Sequence, residues 1–415
     1  MGALELLAIG VLAAMFVVAS IVPVNMGLLG VVAAFSVGLY AGLTPAKITG
    51  GFPGGLFLTL VGITFLFAVA HANGTIERII HSSMRAVRGR VWAVPWIMFA
   101  MAGLLTAFGA VSPAAVAILA PMALGFAAQH RISPMLMGLM VVHGAQAGGF
   151  SPISIYGGIT NRIVAEAGLP LSPMTTFLAS LGMNGAVALI LFLTLGRRRT
   201  PEPAVLAEAP VAAVTPRDWT PQHILTLGGI VLLAVLTLFF QVDVGFAAVT
   251  LGLGLSMLAI GQHRAALTRI PWPEIMLVAG VGLYVAVLEQ IGVIKAVGAE
   301  VAGLGAPLAA ALLLCLIGGV VSAFASSVAV LGSLIPLAVP LLLSGSGVSA
   351  VGFIAAMAVS STIVDVSPFS TNGALVLANS AEGERAAFFR KLLFYGAAIT
   401  VIAPLAAWAL LVAPW

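Results

Sequence analysis

Stretches free of charge and long enough to cross a lipid bilayer recur along this chain, at Leu6–Leu43, Val91–Gln129, Leu171–Gly196, Val301–Val364 and Leu392–Trp415. A helix needs about 20 apolar residues to span the hydrocarbon core. Lipid offers no partner for backbone N–H and C=O groups, so uncharged runs of this length are confined to structures that satisfy their own backbone, which here means helices. With 61% hydrophobic and only 7% charged residues, the chain lies far outside the range of a soluble domain. The expected fold class is therefore an all-α polytopic membrane protein, and its 47 glycines suit closely packed membrane helices. Met1 runs almost directly into the first apolar stretch without a basic segment or a small-residue cleavage site, so a retained transmembrane helix is expected rather than a signal peptide. The single Cys315 excludes an internal disulfide and offers no Cys/His metal cluster. A formal charge of +4 is spread over short loops, which points to membrane orientation and not to a nucleic-acid partner.

The stretch Arg197–Pro221 opens on three arginines, carries five prolines and divides the chain almost in half. Shifting one half over the other by 216 to 218 residues aligns several separate features. Asn25-Met26-Gly27 meets Asp243-Val244-Gly245, Gly62 and Gly74 meet Gly280 and Gly292, and Ala107-Phe108 meets Ala323-Phe324. Ser151-Pro152-Ile153-Ser154 with Gly157 meets Ser367-Pro368-Phe369-Ser370 with Gly373. The expected organisation is repeat 1 at 1–196, a cytoplasmic linker at 197–221 and an inverted repeat 2 at 222–415. Each repeat holds about five transmembrane helices and one re-entrant hairpin, with one helix broken. In repeat 1 the helices fall near 4–22, 26–43, 54–72 and 172–196, with a hairpin at 91–129 and a broken helix at 132–168. Repeat 2 places its hairpin at 303–345 and its broken helix at 348–384. The hairpins follow from apolar segments too long for one crossing, interrupted at Phe108–Pro113 and near Phe324–Ser327.

Five crossings per repeat is an odd number, so the second repeat enters the membrane upside down. Lys and Arg then divide 14 to 3, with only Lys47, Arg162 and Lys295 on the far side. By the positive-inside rule the protein is a multi-pass inner-membrane protein with both termini periplasmic. The first hairpin enters from the cytoplasm and the second from the periplasm. Thr75–Arg90 reads as an interfacial amphipathic helix.

Broken backbone at membrane depth is tolerated only where protein buries it or a polar cavity borders it. Four such breaks are expected: the hairpin tips near Ser112 and Ser326, and the interruptions at 149–157 and 365–373. In three of them a Ser precedes a Pro (Ser112-Pro113, Ser151-Pro152, Ser367-Pro368), which reads as an N-cap followed by the first residue of a new half-helix. Such helix starts aim free N–H groups at an anion, and the preceding carbonyls can hold a cation such as Na⁺. The candidate substrate-binding residues are Ser112 and Pro113, Ser151, Pro152 and Ser154, Ser327, and Ser367, Pro368, Ser370, Thr371 and Asn372. Asn372 offers both a donor and an acceptor. Asp365, the only acid between Glu300 and Glu382, can ligate a coupling cation, carry a proton or cap a half-helix. His143 reads as a packed, satisfied residue, and Arg162 as the partner of Glu166 one turn on.

The run Ser-Pro-Phe-Ser-Thr-Asn-Gly at 367–373, with Asp365 before it and a weaker twin at 151–157, resembles the dicarboxylate carriers of the malonate-uptake type, within the divalent anion and sodium symporter superfamily. The resemblance implies inverted repeats with opposed hairpins, and a homodimer in which a transport domain moves past a scaffold. It also implies that Ser151, Ser367 and Pro368 touch substrate. By the same resemblance the carbonyls of Phe150 and Val366, with Ser112 and Ser326, hold Na⁺. One departure stands out: other branches carry Ser-Asn-Thr at both hairpin tips, whereas these tips read Val111-Ser112-Pro113 and Ser326-Ser327-Val328.

The expected function is cation-coupled uptake, with Na⁺ or H⁺, of a small dicarboxylate such as malonate or a C4-dicarboxylate by alternating access, with no cofactor beyond the coupling ion. Export or transport of another small solute is an alternative. A channel is another, although no charged ring or carbonyl-filter motif is present. An enzyme is not expected, because Gly-x-Ser-x-Gly, His-Glu-x-x-His and a nucleotide-binding glycine loop are all missing.

Overall fold

In a computed structural model the described residues are 2–22, 24–76, 78–79, 82, 91–196, 219–294, 296–297, 306–323, 327–343 and 347–413. Positions 197–218 of the expected linker, most of Thr75–Arg90, and Phe324, Ala325 and Ser326 at the second hairpin tip lie outside them. Among the described residues the chain forms eighteen α-helices, two 3₁₀ turns and no strand. In the first half the helices are α1 (Ala3–Ile21), α2 (Met26–Tyr40), α3 (Pro45–Gly50), α4 (Gly54–Ala72), α5 (Val94–Ala107), α6 (Ser112–His130), α7 (Pro134–Gly148), α8 (Ile155–Glu166) and α9 (Pro173–Leu195). In the second half they are α10 (Pro221–Phe239), α11 (Val244–Met257), α12 (Ile260–Thr268), α13 (Trp272–Gln290), α14 (Pro307–Ser322), α15 (Ser327–Leu343), α16 (Ala350–Thr362), α17 (Thr371–Ala378) and α18 (Arg385–Leu411).

The two sets of nine run in the same order. Helices α4 and α13 are each 19 residues long and start at 54 and 272, while α8 and α17 start at 155 and 371, so the sequence offsets of 218 and 216 are offsets between structural elements too. The caps repeat as well. Asn25 accepts from the N–H groups of Gly27 (2.9 Å) and Leu28 (3.4 Å) at the start of α2, and Asp243 accepts from Gly245 (2.9 Å) and Phe246 (3.1 Å) at the start of α11.

Packing between the halves is reciprocal. Helix α2 lies on α13 and α4 lies on α11. At the first crossing a Cβ on Gly27 would strike the Met276 carbonyl, and one on Gly280 would strike the Gly27 carbonyl. At the second, a Cβ on Gly62 would approach the Gly245 carbonyl oxygen to 2.5 Å, and one on Gly245 would come within 2.8 Å of the Thr59 nitrogen. Small residues at both crossings let backbones meet where lipid gives no hydrophobic drive to hold helices together. A second body is built from α5–α9 and α14–α18, in which α7 packs between α5 and α9, and α16 packs on α14, α18 and α9.

The inner helices of that body are almost wholly enclosed: every residue from Met135 to Gly148 in α7 and from Gly352 to Thr362 in α16 is buried. The outer faces of α1, α2, α9, α10, α11 and α18 expose large apolar side chains such as Ile21, Phe35, Ile190, Val231, Phe246 and Phe394. Among the described residues five helices (α4, α6, α9, α13 and α18) are long and apolar enough to cross a bilayer. An apolar exterior around a packed interior, with helices of this length, makes the chain a multi-pass membrane protein.

Replacing Gly280 by Val is expected to destabilise the fold by at least about 1–3 kcal/mol, the usual cost of overpacking, because backbone and not a pliable side chain stands in the way. Gly182→Ala, where none of the described residues lies within 4 Å of the added carbon, is expected to be neutral. Thermal unfolding in detergent compares the two.

Candidate functional site

Each enclosed helix ends in a short non-helical segment before its partner begins: 149–154 between α7 and α8, and 363–370 between α16 and α17. The two segments are built alike. Ser154 caps α8, accepting from Gly157 N–H at 3.2 Å, and Ser370 caps α17, accepting from Gly373 N–H at 3.4 Å. Both cap hydroxyls also donate backwards, from Ser154 to the carbonyls of Gly149 and Ser151, and from Ser370 to the Ser367 carbonyl at 2.7 Å. A Cβ on Gly157 would run into the Ser151 carbonyl, and one on Gly373 into the Ser367 carbonyl. Glycine at these two positions lets the new half-helix start against the old turn. The carbonyls of Phe150 and Val366 accept no hydrogen bond from the described residues.

These caps correct the expectation that Ser112, Ser151 and Ser367 are the capping serines. In both breaks the chain first makes a turn, and extended backbone comes three residues later, at Ser154 and Ser370. Ser151 instead donates to the Ala107 carbonyl at the first hairpin (2.8 Å) and accepts from Ile153 N–H (3.3 Å), while Ser367 accepts from Phe369 N–H (3.2 Å). Ser112 is the first residue of α6, capped by the backbone of Val111, with Pro113 in the first turn.

Side chains from both halves meet between the breaks. Asn372 Nδ2 donates to Ser112 Oγ (2.6 Å) and to Asp365 Oδ2 (2.8 Å), and the Asn372 N–H reaches Asp365 Oδ1 (3.3 Å). Gln146 Nε2, from α7, donates to Asp365 Oδ2 (3.1 Å) and lies 3.4 Å from Ser112 Oγ. All four residues are buried, and the Tyr156 hydroxyl faces the hairpin serines Ser112 and Ser327. Ser327 shares a 3.0 Å hydrogen bond with Ser322. Pro368 is buried, Pro113 and Pro152 are half-buried, and Thr371 is exposed.

Gln146, Tyr156 and Ser322 carry this arrangement beside the residues singled out from sequence. Tyr156 occupies the position equivalent to Asn372 at the 216 offset, and Gln146 is a lone amide in an apolar run. Those two features were the available signals. His143 is held between Asn184 Oδ1 (2.8 Å) and the Tyr395 hydroxyl (2.6 Å), and so ties α7 to α9 and α18.

A cavity of about 300 Å³ reaches Ser370 and Thr371 between Asn25, Pro273 and Glu274 on one side and Phe369 on the other. At the equivalent place in the other half, the Arg162 guanidinium rests on Gly55 and donates to Asp243 Oδ2 (3.2 Å) and Glu166 Oε1 (2.6 Å). Gly55 and Asp243 correspond to Pro273 and Asn25, whereas the position corresponding to Arg162 is Ala378. A larger cavity of about 580 Å³ lies between Gly50–Leu56, α13 and α15, with Glu166 and Glu289 on its walls.

The fold is that of membrane transporters. The chain superposes on the YdaH transporter of Alcanivorax borkumensis, whose structure is described as having an unusual topology, with a TM-score of 0.59 and 17% identity over 88% of this chain and 86% of that one. It superposes on MtrF of Neisseria gonorrhoeae, described with a class of antimetabolite efflux pumps, with a TM-score of 0.58 and 13% identity over 88% and 82%. Residues 1–149 match the family model for the N-terminus of the dicarboxylate carrier protein MatC. No curated protein matches the chain.

Removing one N-cap hydroxyl usually costs about 1 kcal/mol. Ser154→Ala and Ser370→Ala are each expected to lower the unfolding temperature by that equivalent, measured by thermal unfolding in detergent.

Proposed function

We propose that this protein is a secondary transporter that carries a small dicarboxylate across the inner membrane, coupled to a cation gradient. The observation that carries the reading is the pair of serine-capped half-helices, α8 and α17, which begin inside the packed body beside bare carbonyls. Helix starts favour a carboxylate and helix ends favour a cation, so one break can attract both, and transporter sites lie at such interrupted helices. The MatC match over the first 149 residues supports a dicarboxylate as the substrate class. The transporter fold supports a carrier and not an enzyme.

In this reading the halves cross the membrane in opposite directions. Reciprocal packing of α2 on α13 and α4 on α11 supports a twofold relation, and the 14 to 3 division of Lys and Arg supports an odd number of crossings per half. The helix pairs α5–α6 and α14–α15 are then re-entrant hairpins, and both termini are periplasmic. The body holding the breaks moves as a transport domain against a scaffold of α1–α4 and α10–α13, in a homodimer as the family resemblance implies. Export is the second reading, favoured by the superposition on MtrF, and it uses the same site in the opposite direction.

Proteoliposomes with an imposed Na⁺ or proton gradient test this. Labelled malonate, succinate or citrate is expected to accumulate, while a neutral compound is not; transport of the neutral compound alone would reject the anion site. Ser151→Val and Ser367→Val are each expected to reduce uptake roughly 5–10-fold, the scale of one lost hydrogen bond, with membrane insertion intact.

A further inference from the structure

Asp365 is a buried carboxylate in the body of a membrane protein, and among the described residues no Lys or Arg pairs with it. A lone buried charge is costly enough to demand a counter-ion or a specific partner. Its partners are the Gln146 and Asn372 amides and the Asn372 N–H, and Ser112 Oγ joins the group through the Asn372 amide. Both amides are left half used: among the described residues Gln146 Oε1 and Asn372 Oδ1 are buried with no hydrogen-bond partner. Native proteins rarely leave such acceptors unpaired without a functional reason.

The nitrogen and oxygen of a side-chain amide occupy nearly interchangeable positions. Turning the Gln146 and Asn372 amides over would bring their two unused oxygens to the Asp365 carboxylate and Ser112 Oγ. Four oxygens in one place, carrying a single negative charge, repel one another unless a hard cation sits among them. One carboxylate matches a monovalent ion.

Resting on the cation-coupled reading above, we propose that one Na⁺ binds in a cage formed by Asp365, Gln146 Oε1, Asn372 Oδ1 and Ser112 Oγ, and that the other half carries no counterpart. The positions equivalent to Asp365, Gln146 and Asn372 are Gly149, Thr362 and Tyr156. Glycine brings no ligand, Thr362 already donates to the Ala358 carbonyl (3.0 Å), and Tyr156 faces the hairpin serines. The cage joins the first hairpin and α7 to the second break, so an ion bound there fastens the two halves of the transport body together. Without the ion the amides donate to the carboxylate; with it they turn and coordinate.

The test is thermal unfolding of the purified full-length protein in detergent, with NaCl exchanged for choline chloride at constant ionic strength and no substrate present. A ligand that binds only the folded state raises Tm in a saturable way. Wild type is expected to show that rise. Asp365→Asn and Gln146→Met are expected to abolish it, or to raise the half-saturating Na⁺ concentration at least about tenfold. Thr160→Val, which removes an unpartnered buried hydroxyl in α8 outside the cage, is expected to keep the wild-type response. If Asp365→Asn does not fold, Gln146→Met decides, since it keeps the chain length and removes only the polar atoms. A wild-type Tm indifferent to Na⁺, or a full response in Gln146→Met, overturns the cage. A Tm that answers to pH instead of Na⁺ and loses that dependence in Asp365→Asn also overturns it, making the carboxylate a proton carrier. Dicarboxylate uptake without any Na⁺ response removes the cage and leaves the transport reading; the Na⁺ response without uptake of any anion does the reverse.

Discussion

Lipid supplies no hydrogen bonds, and the rest of this molecule follows from how it meets that constraint at two places where helices stop short. The segments after α7 and α16 release backbone groups that a continuous helix would have satisfied. Serine hydroxyls take up part of that deficit in both directions, accepting from the N–H groups ahead and donating to carbonyls behind. The remainder is met by enclosure, which explains why α7 and α16 are the most deeply buried helices and why the apolar bulk is spent on surrounding them. The carbonyls of Phe150 and Val366 accept no hydrogen bond from the described residues.

The same enclosure governs the polar side chains. In water Asp365 would be held by solvent; here it is held by Asn372, seven residues along the chain, and by Gln146 from the other half. A network of this kind rigidifies the region it occupies, and each member depends on the others for its partners. It also makes the first hairpin responsive to the second break, because Ser112 and Asp365 share the Asn372 amide. The His143 bridge to Asn184 and Tyr395 extends the polar spine outward and fixes the face of α7 that Gln146 presents.

Much of this was legible in the sequence. A helix was expected near 54–72, where α4 lies, and the match of Gly62 with Gly280 at the 218 offset corresponds to α13 at 272–290. The Asn25 and Asp243 alignment holds because the two residues do the same capping work. The breaks were legible from Gly and Pro, but not their internal geometry. A Ser-Pro pair looks like a cap wherever it occurs, and only the turn preceding each half-helix shows that the next serine along does the capping. Gln146 stood out in the sequence only as a lone amide in an apolar run; the three-dimensional approach of α7 to the second break, and not its neighbours in sequence, gives it a role. Tyr156 was marked only by its alignment with Asn372, since an aromatic residue among apolar ones otherwise reads as packing.

Duplication writes one plan twice, and two identical halves facing opposite ways would give a molecule whose inside and outside were interchangeable. Arg162 breaks that equality. It spans from α8 to Asp243, whereas the matching position of the other half, Ala378, carries only a methyl group. That single guanidinium makes the two halves unequal: α8 is tied by an ion pair to a residue of the opposite half, and α17 has no such tie at the matching position. A duplicated plan thus becomes two-sided through one unmatched side chain.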